Sequence, residues 1–312
     1  MADLPVTEPS SRASVGAVDC GTNTIKLLVG ALPEVAVRES RLVRLGAGLD
    51  ASGRLSDEAL ARAFAVVEEY AAVLASHRVE RLRFCATSAV RDAANAQEFL
   101  DGVRARLGVE PEVLSGSQEA ALAFTGVVRS LGQKPATPVL VVDVGGGSTE
   151  LALGGPGRPP ATASVDVGAV RLHERHLHAD PPTRAQVAAC VADIDTHLAG
   201  VVLDLARAAS VVAVAGTALT AAAHVLDLPH GDLTVTDGAA LDVPAVRRGV
   251  DALVAMPMAR RQALPYLHSG RADVIDAGGL ILARVLRRTR VRRMLVSVPD
   301  ILDGIAWSLV DR

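Results

Sequence analysis

Two stretches of the chain follow the same rhythm: an apolar run, an aspartate, a turn of small and polar residues, and a second apolar run. The first comprises Val15 to Val18, Asp19, the turn Cys20-Gly21-Thr22-Asn23-Thr24 and the run Ile25 to Val29. The second comprises Val139 to Val142, Asp143, Gly145-Gly146-Gly147-Ser148-Thr149-Glu150 and the run Leu151 to Leu153. Each reads as a two-stranded hairpin around a polar loop. Aligned without a gap, Asp19 falls on Asp143, Gly21 on Gly145, Thr24 on Ser148, Lys26 on Glu150 and Gly30 on Gly154. A repeat at this distance exceeds solenoid periods and predicts two similar domains rather than an array.

Between the copies, Ser56 predicts the cap of a helix with Asp57 and Glu58 in its first turn and Leu60, Phe64, Val67, Ala71 and Leu74 on one face. A strand over Leu82 to Ala86 follows, then helices from about Val90 to Leu107, ended by Gly108, and from about Gln118 to Leu131, ended by Gly132. Beyond the second hairpin the pattern gives a polar, Pro-rich stretch, a helix near Arg184 to Leu205, a strand Val211 to Ala215 and a helix near Ala218 to Val225. A strand over Met294 to Val298 and a helix over Ile301 to Val310, placed to pack back on the first domain, complete it. Alternation of strand and helix predicts an α/β fold. The expected division is a frayed tail over 1–13, a first domain over 14–133 and a second over 134–312, joined by a hinge near Gly132 to Pro138.

With 312 residues, half of them hydrophobic, two medium cores are expected rather than one large one. The longest apolar runs fall short of the roughly 18 residues of a bilayer span, and Met1 to Ser14 lacks the basic start and apolar core of a signal peptide. Cys20, Cys85 and Cys190 are odd in number and sit among apolar or small residues, which predicts buried thiols and a reducing cytoplasm. A net charge of −3 argues against a general nucleic-acid binder and leaves room only for a local polyanion site. Lys26 and Lys134 are the only lysines; arginine carries the rest of the positive charge.

A loop such as Asp143 to Thr149 suits an oxyanion, because glycines admit positive φ and close approach and let backbone amides converge. A carboxylate at the strand end beside phosphate makes sense when a divalent cation lies between them. Glu150 and Lys26 occupy equivalent places with opposite charge; they could bracket one phosphoryl group or form ordinary strand surface. In Ser115-Gly116-Ser117-Gln118-Glu119, the glutamate falls in a first helical turn, where a capping role would also suit it. His173, His176 and His178 are spaced wrongly for convergence on one ion and read as a solvated turn.

The set Asp19-Cys20-Gly21-Thr22-Asn23-Thr24, Ser115-Gly116 with Glu119-Ala120, Asp143 through Glu150, Gly216-Thr217 and Gly270 through Ile275 resembles the Ppx/GppA phosphatase family across almost the whole chain. The resemblance implies duplicated ribonuclease-H-like domains of the actin, sugar-kinase and heat-shock-chaperone superfamily. It implies Glu119 as general base for a water attacking the terminal phosphorus of inorganic polyphosphate, with Glu150 as its catalytic partner. Asp143, Glu150 and Asp19 would hold Mg²⁺ or Mn²⁺. Gly21, Thr22, Asn23, Thr24, Lys26, Gly145, Gly146, Gly147, Ser148 and Thr149 would grip phosphoryl oxygens. Arg91, in Thr87-Ser88-Ala89-Val90-Arg91, would line the polyphosphate path, with Arg44, Arg171 and Arg271 as further candidates that structural pairing would equally explain.

Gln118 stands where family members often carry an acid, and Thr24 and Lys26 where Ser and Arg are common. The chain ends at Arg312 without the helical C-terminal region of longer members, which implies a shorter channel and a preference for short chains. Guanosine pentaphosphate or tetraphosphate is the alternative ligand, in hydrolysis or in non-catalytic sensing. An ATP-dependent kinase is disfavoured because Ala215-Gly216-Thr217 offers no Gly-rich pair for adenosine. A homodimer is the expected assembly.

Overall fold

A computed structural model of the chain describes residues 13–132, 135–155 and 157–310. Nearly all of the expected tail, and Gln133 and Lys134 of the expected hinge, lie outside the described residues. Five strands form a first sheet: β1 (Val15–Cys20), β2 (Thr24–Ala31), β3 (Glu34–Leu42), β4 (Arg81–Ala86) and β5 (Glu112–Val113). Six form a second: β6 (Val139–Val144), β7 (Thr149–Gly154), β8 (Ala161–Val165), β9 (Ser210–Val214), β10 (Ala240–Asp242) and β11 (Arg293–Val296). The first sheet runs β3-β2-β1-β4-β5, and the second, leaving aside its edge strand β10, runs β8-β7-β6-β9-β11. In each, three antiparallel strands are followed by two parallel ones. The duplication read from the two hairpins therefore extends to whole sheets.

Successive side chains of a strand point to opposite faces, and this parity sorts the core into layers. Val18 and Cys20 of β1 and Ile25, Leu27 and Val29 of β2 face outward, onto the helices Asp57–Ser76 and Ala96–Leu107. Leu140, Val142 and Val144 of β6 likewise face the outer helices of the second sheet. Val15 and Ala17 of β1, Leu28 of β2, Val139 and Val141 of β6 and Ala152 of β7 face a shared middle core with Phe124, Val127, Leu302 and Ile305. Between the sheets lie the helices Gly116–Ser130 and Ile301–Val310. They cross at Gly126 and Gly304: a Cβ on Gly126 would stand 2.0 Å from the Asp300 carbonyl oxygen, and one on Gly304 2.0 Å from that of Leu122. The three cysteines are buried and not joined in disulfides among the described residues.

Local signals held at the caps: the Ser56 side chain accepts from the Ala59 amide, and Ser115 and Gln118 form a reciprocal capping box. The single helix expected over Val90 to Leu107 is instead a turn, Ser88–Arg91, and a separate helix, Ala96–Leu107. Asn95 breaks it by exchanging two side-chain hydrogen bonds with the Leu55 backbone. The helix expected to reach Leu205 stops at Ala199, before Gly200. The stretch read as merely polar and Pro-rich contains β8 and the helix Ala169–His176.

Candidate active site

By the same parity, Asp19 and Asp143 point into the middle layer, at the ends of the two central strands. Across each hairpin, Asp19 is paired with Lys26 and Asp143 with Glu150. The carbonyls of both loops are turned away from the cleft and anchored. Gly46 donates to Thr22 O, Val43 and Arg44 donate to Asn23 O, and the amides of Ala169, Val170 and Arg171 donate to Gly145 O and Gly146 O. Gly21 and Gly145 spend their own amides closing the turns, on Thr24 O and Ser148 O. Among the described residues nothing takes the amides of Thr22, Asn23, Gly146 or Gly147, and these remain as loop donors. None of the loop glycines has positive φ. Close approach is what requires them: a Cβ on Gly146 would stand 2.8 Å from Thr22 Cβ, and one on Gly147 2.7 Å from Ser88 Oγ.

The cleft between the loops is lined by Asp19, Glu119, Asp143, Glu150, Lys26 and Arg271, together with both loops, Thr87, Ser88 and the turn Ala215-Gly216-Thr217. Lys26 is not strand surface. Its ammonium lies 2.7 Å from Asp300 Oδ2 and 3.2 Å from Asp19 Oδ2. Burial alone would lower the Lys26 pKa, but the carboxylates of Asp300, Asp19 and Asp143 overcome that and raise it. Asp300 is held low despite burial by Lys26, by Arg38 and by the Leu302 amide. Asp143, closed off from water and facing Glu150, Asp300 and Asp19 with only Lys26 in opposition, is pushed up to about 8.

Glu119, in the first turn of the helix Gly116–Ser130, is 5 % exposed, and its Oε1 accepts from Arg91 Nη1. Arg91 also donates to Leu114 O at 2.9 Å. Glu150 is as buried, and its Oε1 accepts from Ser164 Oγ at 2.9 Å. Burial raises both glutamates above the ordinary carboxylate range; Arg91 opposes this at Glu119, and the Glu119 charge adds to it at Glu150. Arg271 has no carboxylate within ion-pair reach among the described residues. Its guanidinium lies so close over Gly216 that a Cβ there would overlap it. Burial lowers its pKa. Ala215, with φ of 60°, turns the strand end into the helix at this point.

Most of the residues singled out from the sequence thus meet in one cleft, while Thr149, Gly147, Arg91, Arg44 and Arg171 lie outside it. Thr149 is fully buried, and its hydroxyl donates to Val167 O at 2.7 Å, turned into the sheet. Gly147 borders a neighbouring small cavity with Thr22 and Arg171. Arg91 stands behind the cleft, holding Glu119 rather than lining an anion path. Arg44 pairs with Asp273 at 2.8 Å. The sequence reading missed Asp300, which lies just before the last helix and meets the site through Lys26. The histidines do not converge: His173 meets Asp276 and His176 meets Asp193.

Among the described residues no three His, Cys, Asp or Glu side chains are gathered to hold a metal ion. Mg²⁺ binds through one or two carboxylates completed by waters and substrate phosphate. Asp143 and Glu150, opposed across one hairpin and raised by burial, supply hard oxygen donors and an uncompensated negative charge that fit such an ion. Asp19 is already neutralised by Lys26 and fits less well.

Two sheets of matching strand order with a carboxylate-lined cleft between them define a duplicated α/β fold. Residues 25–312 match the model of the Ppx/GppA phosphatase family, and the chain belongs to that family. It is 43% identical to exopolyphosphatase 2 of Mycobacterium tuberculosis over 95% of this chain and 98% of that one. The crystal structure of an exopolyphosphatase-like protein superposes with a TM-score of 0.92 at 38% identity, covering 96% of this chain and 99% of the other. That of an exopolyphosphatase from Cytophaga hutchinsonii gives 0.87 at 27%, covering 96% and 98%. No helix among the described residues is long and apolar enough to cross a membrane.

Proposed function

We propose that the chain is an exopolyphosphatase that releases the terminal orthophosphate of inorganic polyphosphate by attack of water. The observation that carries this reading is the meeting, in one cleft, of loop amides from both sheets with a buried carboxylate, Glu119, whose raised pKa suits a general base. The amides of Thr22, Asn23 and Gly146 take the terminal phosphoryl oxygens. Arg271, the one cation lining the cleft without an ion-pair partner among the described residues, takes the next phosphate and the charge that develops on the leaving chain. Glu119, steadied by Arg91, accepts the proton of water as its oxygen bonds to the terminal phosphorus and the bridging oxygen departs with the shortened chain. Asp143 and Glu150 would hold Mg²⁺ or Mn²⁺, which when bound supplies positive charge to the phosphoryl oxygens.

Because Lys26 is committed to carboxylates, the cleft grips only the last phosphates of a chain, and short chains are the proposed preference. Hydrolysis of guanosine pentaphosphate is the second reading, favoured by the same grip on a terminal phosphoanhydride. Orthophosphate release from polyphosphates of defined length and from the pentaphosphate, at equal Mg²⁺, tests both. Processive degradation of long polymers would refute the short-chain preference, and no release from any of them would refute the enzyme reading.

A further inference from the structure

Beside the cleft, a line of polar contacts joins the two sheets through Arg171, in the helix Ala169–His176. Its Nε donates to Gly147 O at 2.8 Å, its Nη1 to Asp50 Oδ1 at 2.9 Å and its Nη2 to Asp92 Oδ2 at 2.5 Å. Gly147 belongs to the second hairpin loop; Asp50 and Asp92 belong to segments that flank the first sheet. The side chain is 16% exposed, so these bonds are shielded more than an open surface pair. A planar guanidinium spans three acceptors in fixed directions, which an ammonium cannot do. Neighbours reinforce the contact: Arg175 takes Asp50 in a fork at 3.0 and 2.8 Å, and the Gly48 amide donates to Glu174 at 3.1 Å.

What sets Arg171 apart is where its acceptors lead. Asp92 adjoins Arg91, whose Nε lies 3.8 Å from Asp92 Oδ1 and whose Nη1 holds Glu119. One path of polar contacts therefore runs from the phosphate loop at Gly147 through Arg171, Asp92 and Arg91 to the carboxylate. If Arg171 is lost, Gly147 O loses its partner, and Asp92 is free to compete with Glu119 for Arg91.

We propose that Arg171 is a positioning residue that couples engagement of the two lobes to the placement of both the second phosphate loop and Glu119. This rests on the hydrolase reading given above, for which the loop and Glu119 must face one phosphoryl group together. Arg171 touches neither the phosphate nor the water. It fixes the distance between groups that do, and displacements of about 1 Å at such groups cost on the order of 10²-fold in rate.

The test is steady-state orthophosphate release from a short polyphosphate by the native chain, Arg171→Ala, Arg171→Lys, Asp92→Asn and the Arg171→Ala/Asp92→Asn double variant, with small-angle scattering on each. The expected result for Arg171→Ala is a kcat reduced by roughly 10- to 100-fold with KM little changed. Arg171→Lys recovers little of this, added guanidinium ion recovers part of it in Arg171→Ala, and the double variant is no worse than Arg171→Ala. Scattering shows a larger radius of gyration for Arg171→Ala. Native kcat in Arg171→Ala, a loss confined to KM, or full additivity with Asp92→Asn would overturn the proposal. Should Arg171→Ala fail to fold, Arg171→Lys and Asp92→Asn carry the same comparison. If the native chain releases no orthophosphate, the hydrolase reading fails, and an unchanged radius of gyration in the variants then overturns the coupling separately.

Discussion

At the scale of single residues, the floor of the cleft is a contest between burial and charge. Glu119, the proposed base, would act as a carboxylate, yet its surroundings favour the protonated form; only Arg91 pulls the other way. Glu119→Gln keeps the shape and the capping geometry while removing the base, and kcat is expected to fall by roughly 10² to 10⁴. The thermal midpoint should stay level or rise, since a buried carboxylate has been removed; a lower midpoint together with native kcat would contradict the assignment. Lys26 behaves in the opposite way. It is the shared partner of Asp19 and Asp300, so Lys26→Met strands two buried carboxylates and should cost about 3–5 kcal/mol of stability, read from urea unfolding. Asp300 was invisible in the sequence because it lies 274 residues from Lys26, at the start of a helix that reads as simply apolar.

At the scale of elements, what could be read from the sequence was what local periodicity encodes. Short continuous apolar runs marked β1, β2, β6 and β7, and the ungapped repeat of Asp19 and Asp143 placed both carboxylates at strand ends on equivalent faces. Strand β3, charged and mostly exposed at the sheet edge, carries no such apolar run and is not marked by the sequence pattern. The sequence asks for the loop glycines on two grounds, positive φ and close approach; only close approach holds, and its 2.7–2.8 Å contacts with the opposing loop and Ser88 are visible only in the folded chain. The same logic governs the middle helices. Gly126→Ala and Gly304→Ala each push a methyl group against backbone with no flexible side chain to yield, and each should cost about 1–3 kcal/mol in urea unfolding. Asp300, the partner of Lys26, immediately precedes the last helix, so either substitution should lower activity as well as stability. Native activity in a destabilised Gly304→Ala would show that the helix only supports the fold.

At the scale of the whole molecule, the two sheets and the two helices between them bring Asp19, Glu119, Asp143, Glu150 and Asp300 to one seam, against Lys26, Arg91 and Arg271. The surplus is negative, and its sign sets how stability responds to pH. For Asp143 the folded pKa is about 8 and the unfolded value about 3.9, so between them the folded chain holds a proton that the unfolded chain has lost. Glu119 and Glu150 are raised in the same sense. Stability then falls as pH rises through that window and levels off above it. Asp300, with its pKa lowered, acts in the opposite sense but only near and below the ordinary carboxylate range, and Lys26 acts only above the lysine range, so neither cancels the effect. In chelator-treated protein the thermal midpoint should therefore drop between about pH 5 and pH 8. Millimolar Mg²⁺ should restore it most at the alkaline end, where Asp143 and Glu150 give up their protons to become oxygen donors. Asp143→Asn should flatten the metal-free pH dependence and remove the response to Mg²⁺. A native midpoint that climbs across this range without metal would mean that the seam is not the proton reservoir its geometry describes.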